Sequence, residues 1–137
     1  MLAFDFGTRR IGIAVGQTMT GSATAIGTLP ARNGAPDWPA VDTCIAQWAP
    51  TRLLVGLPYN MDDSDTTTTA TCRAFGDKLA RRSGLPVDYV DERLTSNAAY
   101  DELRSERRSG TRARRIRPAD IDANAARLIL LTWMGTP

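Results

Sequence analysis

The chain has no histidine among its 137 residues. That absence excludes a Ser-His-Asp triad, a Cys-His dyad, histidine-ligated zinc and paired-histidine ribonuclease chemistry. Hydrolysis by this chain would have to use carboxylates, with a metal the natural companion. Cysteine is almost as scarce. Cys44 and Cys72 are the only two; they fall in different predicted helices without CxxC spacing, so they read as buried free thiols and not as a disulfide. No apolar run approaches the ~18 residues of a membrane span; Leu128-Ile-Leu-Leu-Thr-Trp-Met134 is the longest candidate. The N-terminus enters a strand at once and carries a carboxylate at position 5, unlike a signal peptide. A cytoplasmic protein with no membrane partner is expected, built as one domain over residues 1–137.

Lysine is nearly missing too. Of the 17 basic residues only Lys78 is not arginine, and arginine suits forked contacts to phosphate. The net charge of +2 conceals a strong asymmetry: residues 104–117 carry +6, leaving −4 for the rest. A basic arm on a mildly acidic body suggests a polyanionic partner, here a nucleic acid. Arg104, Arg107, Arg108, Arg112, Arg114 and Arg115 are the candidate phosphate contacts in that arm. The bland alternative is a solvated basic linker.

Hydrophobic patterning outlines the fold. Residues 2–6 form a buried strand, followed by a tight turn at Gly7-Thr8, where glycine could take the positive φ a hairpin needs. Arg10 to Val15 and Ala23 to Leu29 complete an antiparallel meander, and Pro30 to Pro36 reads as a loop. Asp37 or Pro39 opens a helix with Val41, Ile45 and Trp48 on its apolar stripe, ended by Pro50. Arg52 to Gly56 reads as a short, continuously apolar strand, as a central strand covered on both faces would be. A helix capped by Ser64 or Asp65 runs to about Arg82 with Cys72, Phe75 and Leu79 inward. A fifth strand spans 87–91, and a short helix from Thr95 or Ser96 reaches about Arg104. The last helix, from Pro118 or Asp120 to Met134, turns Ile121, Ala125, Leu128, Ile129 and Trp133 inward. The order βββαβαβαα predicts an α/β domain with a mixed five-stranded sheet, an antiparallel three-strand meander plus two parallel strands.

Three carboxylates stand out against this frame. Asp5 ends the first strand, Glu92 follows the fifth, and Asp122 sits near the start of the last helix. If they converge, they make a hard-oxygen site suited to Mg²⁺ or Mn²⁺. Sites in such sheets form beyond strand ends where connections diverge, which would bring Asp5 and Glu92 into one crevice. Each has a simpler reading: Asp5 as a turn acceptor, Glu92 as a partner of Arg93, and Asp122 as a helix-dipole residue. Asp91 competes with Glu92, since alternation lets only one of them face the crevice. Arg10 and Arg93 lie beside the acids, and phosphate contact and ion pairing stay open for both.

Four blocks carry a resemblance across nearly the whole chain: Asp5-Phe-Gly-Thr-Arg-Arg-Ile-Gly-Ile-Ala14, Val55-Gly-Leu-Pro-Tyr-Asn-Met-Asp62, Asp91-Glu-Arg-Leu-Thr95 and Asp122-Ala-Asn-Ala-Ala126. In order and spacing the chain resembles the YqgF/RuvX family of the ribonuclease-H-like superfamily, relatives of Holliday-junction resolvases and nucleases assigned to the 5′ end of pre-16S ribosomal RNA. Two features depart from the family pattern: Asp62-Asp63-Ser64 stands where Asp-Gly-Ser is usual, and Arg9-Arg10 where Lys-Arg is typical. The resemblance implies a ribonuclease-H-like fold and metal ligands at Asp5, Glu92 and Asp122. It further implies a two-ion phosphodiesterase, with Asp5 bridging ions ~4 Å apart and products ending in 5′-phosphate and 3′-hydroxyl. The expected partner is pre-ribosomal RNA or branched DNA, with monomer and homodimer both open. A non-catalytic nucleic-acid-binding module and an actin-like ATPase half, which shares Asp-x-Gly-Thr after a strand, are the other classes; retention of all three acids and a length sufficient for one domain speak against them.

Overall fold

The computed structural model describes residues 1–7, 9–32, 34–57, 67–91 and 118–134, with the side chains at 67–68 and 118–122 outside that description. Among the described residues six strands form one sheet: β1 (Leu2–Phe6), β2 (Arg10–Gln17), β3 (Ser22–Arg32), β4 (Ala35–Pro36), β5 (Leu53–Leu57) and β6 (Val87–Asp91). The helices among these residues are α1 (Trp38–Trp48), α2 (Thr67–Ser83) and α3 (Pro118–Met134). The strand order is β4-β3-β2-β1-β5-β6. β1 to β4 pair antiparallel, while β1, β5 and β6 run parallel. The helix expected over 95–104 lies outside the described residues.

The sheet buries two unequal faces. On one, Leu2, Phe4 and Phe6 of β1 join Ile11, Ile13, Leu53, Val55 and Leu57 beneath Val41 and Cys44 of α1 and Cys72, Phe75 and Leu79 of α2. On the other, Ala3, Ala14, Leu54 and Val90 meet Ala126, Ile129 and Leu130 of α3. Strand alternation separates the two sets. β5 is buried at all five positions, as its unbroken apolar run predicts.

Several local signals act as expected. Asp37 caps α1, its carboxylate accepting the Ala40 N–H at 3.3 Å, with proline in the first turn. Ala49 closes the helix in the left-handed region at φ 46°, ahead of Pro50. Both cysteines are free and buried.

Other expectations change. Pro30 to Pro36 is not a plain loop: β3 continues to Arg32 and turns back into the two-residue β4. The prolines do not interrupt this hairpin, because Pro30 contributes a carbonyl, which accepts the Asp37 N–H at 3.2 Å. This adds a sixth strand to the five expected. Gly7 is not among the positive-φ residues; its need is space, since a Cβ there would lie 2.7 Å from the Arg10 carbonyl oxygen. Trp48 is 42% exposed, at the last turn of α1. On α3 the inward line runs through Ala126, Ile129, Leu130 and Trp133, at helical spacing, while Leu128 is only half-buried.

Candidate active site

Asp5 sits one residue from the end of β1, the strand from which the chain leaves for β2 on one side and beside which it returns as β5 on the other. This is the divergence point where open α/β sheets place their ligands. The Asp5 side chain shares the parity of Ala3 and therefore points to the α3 face. Its neighbour across β2 is Gly12. On the other side, one step beyond the Phe4–Val55 pair, comes Gly56. The carboxylate thus stands between two residues without side chains, which leaves room beside it on both flanking strands. Next in the row is Val90, paired with Gly56.

Asp91 closes β6 with the parity of Tyr89, which packs toward the α1/α2 core. Alternation therefore directs Asp91 away from the face that carries Asp5. Glu92 follows it directly and lies outside the described residues.

The course of α3 is fixed by contacts near its end. The Leu130 side chain abuts Gly16, where an added Cβ would come within 3.0 Å. Gly16 pairs with Met1 through hydrogen bonds of 2.9 and 3.0 Å. Arg52, just before β5, stacks its guanidinium 5.7 Å from the Trp133 ring and pairs with Asp88 at 2.5 Å. α3 therefore ends where β1 and β5 begin, and its start lies toward the end of β1. From Leu130 back to Asp122 is ~12 Å of helix; from Met1 to Asp5 is ~13 Å of strand. Backbone position 122 and Asp5 thus occupy the same end of the same face. Alanines at 123, 125 and 126 are buried, and their small side chains let the helix lie close on the sheet.

A family model described as RuvX, Holliday junction resolvase, matches residues 1–136. The chain belongs to the RuvX family. It is 47% identical over 133 residues to a protein of Marinobacter nauticus described as "Putative pre-16S rRNA nuclease", covering 97% of this chain and 90% of that one. A protein of Coxiella burnetii with the same description matches with the same identity and coverage. Among solved structures, Thermus thermophilus RuvC in complex with a Holliday junction substrate aligns over 99% of this chain and 97% of that one, with a TM-score of 0.56 and 15% identity. That likeness bears on the fold, and the fold is the ribonuclease-H-like one expected from the sequence.

Within this RuvX chain, Asp5 and Arg10 are brought to one face. Arg10 has the parity of Gly12, the partner of Asp5, and is half-buried. Arg93, Arg104, Arg107, Arg108, Arg112, Arg114 and Arg115 lie outside the described residues, as do Asn60 and Ser64. Among the described residues no group of three or more His, Cys, Asp or Glu side chains comes together; Glu92 and the side chain of Asp122 stand outside that set. Sequence reasoning overlooked the glycines flanking Asp5, whose role exists only once the register is set. It also gave no role to Asn124. That side chain is 8% exposed. Its Oδ1 accepts from Arg127 at 3.3 Å, and Arg127 Nε donates to the Ala23 carbonyl at 3.2 Å, tying α3 to the β2–β3 hairpin.

Proposed function

We propose that this RuvX-family chain is a metal-dependent nuclease that hydrolyses phosphodiester bonds at the 5′ end of pre-16S ribosomal RNA. The observation that carries the reading is the placement of Asp5: the end of a central strand, between two glycines, on the face across which α3 brings position 122. Asp5, Glu92 and Asp122 would hold Mg²⁺ or Mn²⁺, in keeping with the preference of hard cations for carboxylate oxygen. The ions would supply Lewis acidity and an activated water for the hydrolysis, two of them in the fullest form of the scheme. The protein's part is to hold the acids in place on rigid elements and to seat the phosphates with arginine. Relatives at 47% identity described as "Putative pre-16S rRNA nuclease" support the RNA substrate.

Four-way DNA junctions are the second reading, favoured by the family's description as Holliday junction resolvase. Paired cuts in a junction need two active sites and hence a dimer; trimming an RNA end does not. The test uses labelled pre-16S leader RNA, four-way junctions and plain single strands, each with Mg²⁺, Mn²⁺ or EDTA. Cutting that requires metal, yields 5′-phosphate ends and falls at least ~100-fold in Asp5→Asn, the scale of losing a principal electrostatic group, is the expected result. Full metal-dependent activity in Asp5→Asn refutes the assignment, and the preferred substrate decides between the two readings.

A further inference from the structure

We propose that Arg32 and Arg10 form a phosphate track that leads one strand of the nucleic acid away from Asp5, over the end of the β1–β2–β3 meander. The inference rests on the nuclease reading and extends it to a residue that the motifs do not mark. β3 carries a bulge: Ile13 pairs with Gly27 but Ala14 with Ala25, so Ile26 is the extra residue. An inserted residue reverses the alternation. Before the bulge the odd-numbered Ala23 and Ala25 share the α3 face; after it Leu29 and Ala31 pack against the opposite core. Thr28, Pro30 and Arg32 consequently lie on the face of Asp5.

The register then places the groups. Gly12 is level with Asp5, and Arg10 is two residues farther along, past the end of β1. Pro30 is level with Arg10, and Arg32 is again two residues farther. Each step crosses one strand and climbs two residues, so Asp5, Arg10 and Arg32 lie on a diagonal with Cα spacings of about 8 Å. Equal steps along a line suit the repeating charge of a phosphodiester backbone. Arg32 is exposed, and no ion pair or hydrogen bond engages its side chain among the described residues. Its backbone is held in the β3–β4 hairpin by pairing with Ala35, so its guanidinium is presented from a fixed base. Arg81 offers a control of equal charge: it is exposed on α2, which covers the other face.

The experiment measures binding of a fluorescent single-stranded leader RNA by anisotropy, in EDTA, across a salt series. Arg32→Ala is expected to weaken binding roughly 2- to 5-fold, the range of an exposed ion pair. It should lower the slope of log K against log salt by about 0.7, one phosphate contact on a single strand. Arg32→Glu should weaken binding further, Arg32→Lys should keep the slope, and Arg81→Ala should change neither quantity. Shortening the RNA on the side that reaches Arg32 should erase the difference between wild type and Arg32→Ala. If Arg32→Ala behaves as Arg81→Ala does, or if the wild type does not bind, the track is wrong. Metal-dependent cleavage, measured separately, keeps the two ideas apart: cutting without an Arg32 effect removes only the track, and an Arg32 effect on binding without any cutting removes only the nuclease.

Discussion

Gly76 lies in the interior of α2, where alanine would ordinarily be the better residue by about 1 kcal/mol. Here the substitution should do harm. A Cβ at this position would lie 2.6 Å from both Cε1 and the hydroxyl oxygen of Tyr89, and 2.9 Å from Cζ. The Tyr89 ring rests on the helix backbone, its hydroxyl 2.6 Å from Asp77 Oδ1 and 3.2 Å from the Arg73 carbonyl. Arg73, Gly76 and Asp77 share one helix face, and the missing Cβ is the seat of the ring. A rigid ring cannot yield without leaving those acceptors. Overpacking costs about 1–3 kcal/mol, and loss of the exposed phenol–carboxylate bond adds about 1 kcal/mol. Against the helix gain the balance is a net loss of about 1–3 kcal/mol. For a chain of this length that lowers Tm by roughly 3–10 °C.

Thermal and urea melts followed by circular dichroism would measure it, in a double-mutant cycle. Tyr89→Ala removes the obstacle; in that background Gly76→Ala should stabilise by about 0.5–1 kcal/mol, reversing sign. A stabilising Gly76→Ala in the wild-type background, or the same effect in both backgrounds, would refute the reasoning. The contact matters beyond stability, because β6, which among the described residues pairs only with β5, leads in sequence straight into Glu92.

Tyr89 also predicts a pH effect. Burial, and then the hydrogen bond to Asp77, push its phenol up to about 12 from an ordinary 10. An acid raised in the folded state binds its proton more tightly than in the unfolded chain. Its contribution is therefore complete below pH 10 and lost between about 10 and 12. Tyr89→Phe should flatten the stability profile in that window, and absorbance titration at alkaline pH should show a late-ionising tyrosine that Tyr89→Phe removes. Both thiols are buried, and desolvation raises that of Cys44; a thiol reagent should label neither in the folded protein and both after denaturation. Asp91→Asn should retain metal-dependent cutting within about 10-fold, whereas Asp5→Asn loses ~100-fold or more. Equal losses in a cleavage assay would mean that alternation does not separate Asp91 from the site.

The strand and helix frame was legible because local patterns agreed with the tertiary outcome. The continuous run of β5, the Cys72–Phe75–Leu79 stripe and the Asp37 cap each carry their own signal. Misplacements arose where a long-range contact decides. Trp48 continues the Val41–Ile45 stripe but sits in the last turn of α1, so periodicity alone points it inward. Pro30 reads as a break, yet its place in β3 asks only for its carbonyl. Asp5 could be singled out from its strand and its block, while the two glycines beside it belong to two other strands and meet it only through register. Arg32 was hidden by the bulge at Ile26: simple alternation from Ala23 and Ala25 sends an even-numbered residue to the wrong face.

The two faces of the sheet divide stability from chemistry, and this division tells how a substitution should be interpreted. The α1/α2 face carries the large side chains of β1, Leu2, Phe4 and Phe6, with Phe75 set 5.9 Å and 4.9 Å from the two phenylalanine rings. Trp38 stacks on Phe75 at 5.5 Å, and Lys78 and Arg82 each lie 5.0 Å from its ring. The opposite face is built from alanine and glycine beside Asp5, under a single helix that is itself alanine-rich where it meets the sheet. Small residues bury less apolar area and so stabilise less, but they let backbone and carboxylates approach one another. A loss of activity from a change at Phe4 should therefore follow the loss of folded protein, whereas Gly12 and Gly56 substitutions should impair cutting more than their effect on Tm accounts for. Neighbouring residues of the same strand, Phe4 and Asp5, thus serve opposite ends, and the alternation of β1 is what joins the fold to the site.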